Sequence, residues 1–203
     1  MRSEGVLRRG IVAATGLLCL VPMVGTAADG PSWHLDDGDV RIIVPLRPGG
    51  AFEAKASALN GELTPGVSQP LALAGEITLD LETIETGIAL RDRHLRENCL
   101  EVAKGRGFDK AVLSEIVLAE ADGAGFRGRT KFEGALLLHG VSRPVAGKAV
   151  IRAAEPGVRV EAEFVLTLTD FGIEPPQYMG VGVSNKVSVK VSFAARLPGA
   201  GRP

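Results

Sequence analysis

The sequence contains little cysteine, few aromatic residues and no marked excess of charge of one sign. Its 203 residues include two cysteines, one tryptophan, one tyrosine and seven phenylalanines, and its formal net charge is −1. The cysteines and histidines show no CxxC or HxxxH spacing, which zinc sites commonly use. A nucleic-acid-binding domain usually carries a basic stripe, and this charge balance does not favour one. We therefore predict no metal site and no nucleic acid partner.

The short motifs of several enzyme classes are also absent. The sequence has no GxSxG nucleophile elbow, no phosphate-binding loop and no dinucleotide fingerprint. Residues 170–172 spell the DFG of protein kinases, but no glycine-rich loop or strand lysine accompanies them. We therefore predict no catalytic residue and no cofactor.

The N-terminus has the composition of an export signal. Its basic residues are Arg2, Arg8 and Arg9. An uncharged apolar run covers 11–24, and small residues surround a cleavage point after Ala27. We predict a signal peptide over 1–27 and one periplasmic or secreted domain over 28–203, with an uncleaved anchor as the alternative. Cleavage would leave 20 basic and 23 acidic residues and a single cysteine, so no intrachain disulfide is expected.

Apolar and polar residues alternate along most of 28–203, as is typical of strands with one buried face. The strongest runs cover 77–82, 126–138, 158–168 and 186–193, and weaker ones cover 39–46, 51–60, 111–119 and 145–153. Eight strands separated by turn residues favour an antiparallel barrel or sandwich. We favour the barrel over the sandwich, because a closed barrel leaves no exposed edges on its long strands. We predict an all-β fold, an eight-stranded antiparallel barrel.

One segment, 87–103, departs from this alternation. Its apolar residues at helical spacing are Ile88, Leu95, Cys99 and Val102. Spacings of seven, four and three place them on one helical face. We predict a short helix, capped by Thr86, that packs across one end of the barrel.

Three segments resemble the YceI-like family of exported barrels. They are ETG at 85–87 with RDRHLR at 91–96, LHGVSRP at 138–144, and TDFGI at 169–173 before an alternating final strand. The resemblance implies a lipocalin-like barrel whose elongated apolar cavity holds a polyisoprenoid, such as a quinone or prenyl phosphate. It also implies periplasmic export and, often, a homodimer.

The inward residues of the strands would line either a packed core or a ligand tunnel, since both need apolar side chains. The residues predicted to line a tunnel are Ile77, Leu79, Leu81, Leu95, Phe132, Leu136, Leu138, Phe164, Leu166, Phe171, Val187, Val189 and Val191. Few aromatic residues are available, so the lining is mostly aliphatic, which suits a prenyl chain. The predicted ligand is an apolar lipid.

Four polar or reactive residues leave alternatives open. Arg91 and His94 could hold a polar head group at the barrel mouth, or make local salt bridges and a helix cap. His139 could be a turn residue bonded to the backbone, and either His94 or His139 could be the base of an isomerase or hydrolase. Cys99 could be a buried inert thiol, or a redox-sensitive group in a protein that partners a membrane cytochrome or a lipid pathway.

Overall fold

The computed structural model describes residues 32–66, 71–119, 127–178 and 180–196. The predicted signal peptide lies outside these residues, as does the start of the strand predicted at 126. The proposed division of the chain at residue 27 therefore stays a prediction.

Strands make up most of the described chain. They are β1 (Trp33–Arg47), β2 (Ala51–Ala56), β3 (Leu59–Pro65), β4 (Leu71–Asp80), β5 (Lys110–Leu118), β6 (Gly128–Leu138), β7 (Val141–Ala154), β8 (Gly157–Thr167), β9 (Gln177–Tyr178), β10 (Val181–Val183) and β11 (Lys186–Arg196). The helix α1 (Ala89–His94) continues into a wider π-helical turn, Leu95–Cys99. Three 3₁₀ turns cover Leu81–Thr83, Val102–Lys104 and Leu168–Phe171.

Eight of these strands close into an antiparallel barrel, which confirms the predicted fold class. The order around the barrel is β1, β3, β4, β5, β6, β7, β8 and β11, and β11 pairs with β1 to complete the circle. The closing pair runs from His34 opposite Arg196 to Ile43 opposite Ser188. Closure satisfies the backbone of both strands and leaves no long edge exposed.

The predicted strand over 51–60 is two strands, separated at Ser57 and Ala58. β2 pairs with the second half of β1, from Val40 onward, whereas β3 pairs with its first residues. The short strands β9 and β10, which add to the end of β1, were not predicted. Their two- and three-residue lengths are too short to produce an alternation signal.

The helix is shorter than the periodicity predicts, and its cap is different. Regular turns end at Cys99, and Glu101 adopts a left-handed backbone with φ of 51°. Ile88 occupies the cap position and is 53% exposed, so its predicted place on the buried face was wrong. Thr86 is not the cap; its backbone N–H instead donates to Asp92 Oδ1 at 2.7 Å.

The loops that join β4 to β5, β6 to β7 and β8 to β11 meet at one end of the barrel, here called the helix end. Antiparallel connections place these loops together, because β4, β6 and β8 all finish there. The buried residues of this end include Leu81, Leu100, Val102, Leu138, Phe171 and Ile173. They fill the barrel below the helix. Within the described ranges, no helix is long and apolar enough to span a membrane.

Candidate functional site: an apolar cavity in the barrel

A cavity of about 160 Å³ lies inside the barrel, and its lining is entirely apolar. All eight barrel strands contribute side chains to it, from Val40 on β1 to Val191 on β11. Each strand supplies residues at alternate positions, since only every second side chain points inward. The site can therefore hold an apolar guest, but it offers no charged group for acid–base chemistry.

Six of the predicted tunnel residues line this cavity. They are Ile77, Leu79, Phe132, Leu136, Phe164 and Val191. The seven others are buried or partly buried in the core but do not line it: Leu81, Leu95, Leu138, Leu166, Phe171, Val187 and Val189. These seven residues lie in or against the packed core, as the packed-core alternative expects. A ligand-binding role for the first six stays a prediction.

Sequence reasoning missed most of the lining. The additional residues are Trp33, Val40, Leu59, Leu63, Pro65, Leu73, Ala111, Leu113, Ile116, Leu118, Ala149, Ile151, Val158, Val160, Ala162, Phe193 and Ala195. Several of them, such as Val160 and Phe193, lie in the predicted alternating runs and could have been identified. The small residues Ala111, Ala149 and Ala162 also lie in predicted runs, but alanine is a weak apolar signal and they were not assigned to the lining.

An aromatic pair occupies one part of the cavity wall. The rings of Phe132 on β6 and Phe164 on β8 meet edge to face, with centroids 5.9 Å apart and planes at 89°. Both lie opposite Gly147 on the intervening strand β7. A Cβ on that glycine would stand 2.6 Å from the Phe132 ring and 2.4 Å from the Glu163 carbonyl oxygen. The glycine therefore provides the room in which the two rings meet.

The cavity occupies the barrel interior outside the packed residues below the helix, and on β3, β4 and β5 it extends as far as Leu59, Leu79 and Ala111 near the helix end. Its lining extends to Trp33, Pro65, Leu73 and Val158, which lie near the opposite ends of their strands and are partly exposed. The tightly buried residues below the helix are absent from the lining. The barrel thus has a packed half and a hollow half.

His139 holds the packed half together. Its side chain is 12% exposed, its Nδ1 lies 3.1 Å from the Phe171 carbonyl oxygen, and its Nε2 lies 3.0 Å from Glu101 Oε2. The ring also meets Phe108 edge on, at 4.8 Å. Both ring nitrogens contact groups of neighbouring loops, and this geometry agrees with the interpretation of His139 as a turn residue bonded to the backbone.

The carboxylate of Glu101 lies between two basic side chains. Lys104 Nζ is 2.6 Å from Glu101 Oε2, and the same oxygen contacts His139. The hydrogen bond from Lys104, followed by that from His139, lowers the pKa of Glu101 below its ordinary value. Three loops at the helix end are therefore joined through one imidazole and one carboxylate.

Arg91 and His94 do not line the cavity. Arg91 donates from Nε to Thr86 Oγ1 at 2.7 Å and from Nη2 to the Thr86 carbonyl oxygen at 3.0 Å, and its guanidinium stacks on Phe52. His94 Nδ1 lies 2.8 Å from Asn98 Nδ2. Both side chains are engaged at the helix end, away from the hollow half. These contacts agree with the alternative of local interactions, and a head-group role for the two residues stays a prediction.

The pKa values of two other groups near the helix, the carboxyl of Asp92 and the thiol of Cys99, are shifted. Hydrogen bonds from Thr86, together with the charges of Arg96 and Arg91, lower the pKa of Asp92. Cys99 is partly buried and free, and burial raises the pKa of its thiol. A raised pKa disfavours the reactive thiolate. Among the described residues, no group of three or more His, Cys, Asp or Glu could hold a metal ion.

Comparison with known proteins identifies the family. The model of the YceI-like domain matches residues 38–195, which is most of the chain. The chain belongs to the YceI-like family. A UPF0312 protein of Shewanella sp. (strain W3-18-1) is 26% identical over 173 residues, covering 80% of this chain and 85% of that protein.

Two solved structures show the same YceI-like fold. A polyisoprenoid binding domain from Saccharophagus degradans, implicated in plant cell wall breakdown, superposes with a TM-score of 0.61 at 16% identity. That match covers 83% of this chain and 99% of the other. BcnA of Burkholderia cenocepacia superposes with a TM-score of 0.57 at 10% identity, covering 76% and 94%. At these identities the likeness establishes the fold.

Proposed function

We propose that this YceI-like barrel binds a long apolar lipid and stores or transports it. The candidate classes are a polyisoprenoid, a quinone or a prenyl phosphate. The observation that carries the proposal is the cavity whose lining, drawn from all eight barrel strands, is wholly apolar. The Saccharophagus domain, which shares the fold, is described as polyisoprenoid binding. Binding rather than catalysis fits a lining without an ionisable group.

The small volume of the cavity favours a slender guest. Its volume of about 160 Å³ is below the roughly 300–1,000 Å³ of pockets that hold compact drug-sized ligands. A linear chain gains about 0.8 kcal/mol for each CH₂ that leaves water. An aliphatic tail can therefore bind well with few polar contacts, while a head group would remain outside the described lining.

The first test is native mass spectrometry of the protein purified from its own cells, followed by solvent extraction of the released material. The expected result is one prenyl lipid or quinone per chain. A protein that carries no lipid and also fails to take up added prenyl lipids would contradict the proposal. It would favour the alternative, an interaction protein without a lipid cavity.

Trp33 provides a second test, because it is the single tryptophan of the chain and it lines the cavity. A quinone that enters the cavity should quench its fluorescence with a saturable, stoichiometric titration. A short-chain quinone lacking the prenyl tail is the control, since it has little apolar area to bury. Equal quenching by both compounds would indicate collisions with the partly exposed ring rather than binding.

We propose that the protein acts in the periplasm, supported by the export-signal composition of residues 1–27. Cell fractionation should recover a shortened chain whose N-terminal residue is Ala28. Recovery of the full-length chain with the membrane would favour the uncleaved anchor instead.

A further inference from the structure

A row of charged side chains crosses the outer face of five neighbouring strands. Lys131, Lys148, Glu163, Lys190 and Arg41 lie opposite one another in register on β6, β7, β8, β11 and β1. All five side chains are exposed. With the flanking residues they line a groove of about 860 Å³, here called the cationic face. It lies on the outside of the barrel and is separate from the apolar cavity.

The basic residues of the cationic face outnumber its acidic residues. Its lining includes six basic and three acidic residues, although the whole chain has a net charge of −1. Two of the acidic residues are already engaged: Asp39 pairs with Arg41 at 2.9 Å, and Glu161 pairs with Arg152 at 2.8 Å. The positive charge is therefore local, and the overall charge of the sequence conceals it.

Three lysines remain around one carboxylate. Lys148 and Lys190 lie directly opposite Glu163, and Lys131 lies opposite Lys148. None of the ion pairs found in the described part of the chain includes Lys131, Lys148 or Lys190. Like charges directly opposite each other, such as Lys131 and Lys148, destabilise a sheet, and the single carboxylate of Glu163 offsets only part of the positive charge.

We propose that the cationic face docks the protein on an anionic lipid bilayer. Neighbouring strands are about 4.8 Å apart, so charges on five strands extend over about 19 Å along the curved wall of the barrel. This spacing suits many separate phosphate groups in one surface better than a single anion. Negatively charged bilayers attract basic segments through such distributed charge.

An exposed apolar residue adjoins the row. Val165, the next outward residue on β8 after Glu163, is 56% exposed and lies opposite Ser188. A small apolar side chain beside basic ones can enter the interfacial region of a bilayer. The proposal goes beyond lipid storage, because docking depends on the outer surface and not on what the cavity holds.

The test is co-sedimentation of the protein with phosphatidylcholine vesicles, alone or mixed with phosphatidylglycerol. The triple variant Lys131→Gln, Lys148→Gln, Lys190→Gln removes three cations from the face. Its matched control, Lys55→Gln, Lys110→Gln, Lys186→Gln, removes three exposed lysines that do not line the face and gives the same net charge. We expect wild type and control to bind the mixed vesicles at low salt and to be released at high salt.

The face variant should bind about a hundredfold more weakly, since each basic residue near such a surface contributes roughly fivefold. Equal loss in both variants would make net charge responsible and overturn the proposal. Binding that neither variant changes, or that phosphatidylcholine alone supports, would do the same. Binding of a soluble polyanion such as heparin without vesicle binding would assign the face to a linear polyanion instead. Retained lipid or Trp33 quenching in the face variant separates this result from the proposed storage function.

Discussion

The two halves of the barrel interior are built from the same kinds of residue, but one half is packed and the other is hollow. Leu136 and Leu138 show the difference most directly. Both point inward from β6, both are 6% exposed, and they are two residues apart. Leu136 lines the cavity, whereas Leu138 belongs to the packed helix end. Burial alone therefore does not distinguish a lining residue from a core residue.

The two halves differ in whether side chains from the loops enter the barrel. At the helix end, residues outside the barrel strands, such as Leu81, Leu100, Val102, Phe171 and Ile173, fill the interior from the loops. In the hollow half, β5, β7 and β8 each contribute one alanine to the lining beside larger residues, at positions 111, 149 and 162. A cavity therefore forms where no loop side chain enters the barrel and some inward positions are alanine.

The largest effects should come from truncating the two leucines of β6. Leu138→Ala should destabilise the protein by about 3–5 kcal/mol, near the upper end for leucine truncation, because it opens a new void in a packed region. Leu136→Ala should cost about 2–3 kcal/mol, since part of this side chain already borders empty space and makes fewer contacts. Urea unfolding of both variants measures the difference.

The two variants control for each other, because they share residue type, strand and burial. Equal losses would mean that the hollow half is as tightly packed as the helix end. A larger loss for Leu136→Ala would reverse the assignment of the two halves. Lipid uptake should survive in Leu136→Ala, whose cavity is larger.

A smaller loss is expected at the aromatic pair. Gly147→Ala places a Cβ within 2.4 Å of the Glu163 carbonyl oxygen and 2.6 Å of the Phe132 ring. Backbone and ring must both move, so we expect destabilisation of about 1–3 kcal/mol and altered near-ultraviolet dichroism of the phenylalanines. Gly49→Ala is the control, because no atom lies within 4 Å of its added Cβ. An unchanged Gly147→Ala variant would show that the strands there are not in contact as described.

The sequence predicted the closed barrel but not how its interior is divided. Alternation of apolar residues in runs such as 158–168 reports which side faces inward, and the barrel follows from it. The same pattern describes Leu136 and Leu138, so it could not separate lining from core. The role of Arg91 was left open for a related reason: a polar residue on a capping helix can face a ligand or its own loop. Here Thr86 and Phe52 bind it.

The carboxylates at the helix end should make a smaller contribution to stability, and this contribution should depend on pH. The pKa of Asp92 is lowered, first by the Thr86 hydroxyl and also by Arg96 and Arg91. Its ionised form therefore favours the folded state. This stability is present above the ordinary carboxyl pKa of 3.8 and is lost as the pH falls through the lower, folded-state value.

Asp92→Asn should therefore lower the melting temperature at neutral pH and reduce the further loss on acidification. Glu101, whose pKa is also lowered, should add to the acid sensitivity of the wild type. Glu174→Gln, at an exposed position, is the control. If Asp92→Asn keeps the full acid dependence of the wild type, the carboxylate does not stabilise the helix end as described.

The smallest effect on stability should come from filling the cavity. Ala162→Leu extends a lining side chain into empty space, so the free energy of unfolding should change by less than about 1 kcal/mol, while lipid uptake and Trp33 quenching should fall. Ala54→Leu is the matched control, because Ala54 is 1% exposed and does not line the cavity. There the same enlargement overpacks the interior and should cost about 1–3 kcal/mol. A stable Ala162→Leu variant that still takes up prenyl lipid at full occupancy would place the lipid elsewhere, because the added side chain and the guest need the same space.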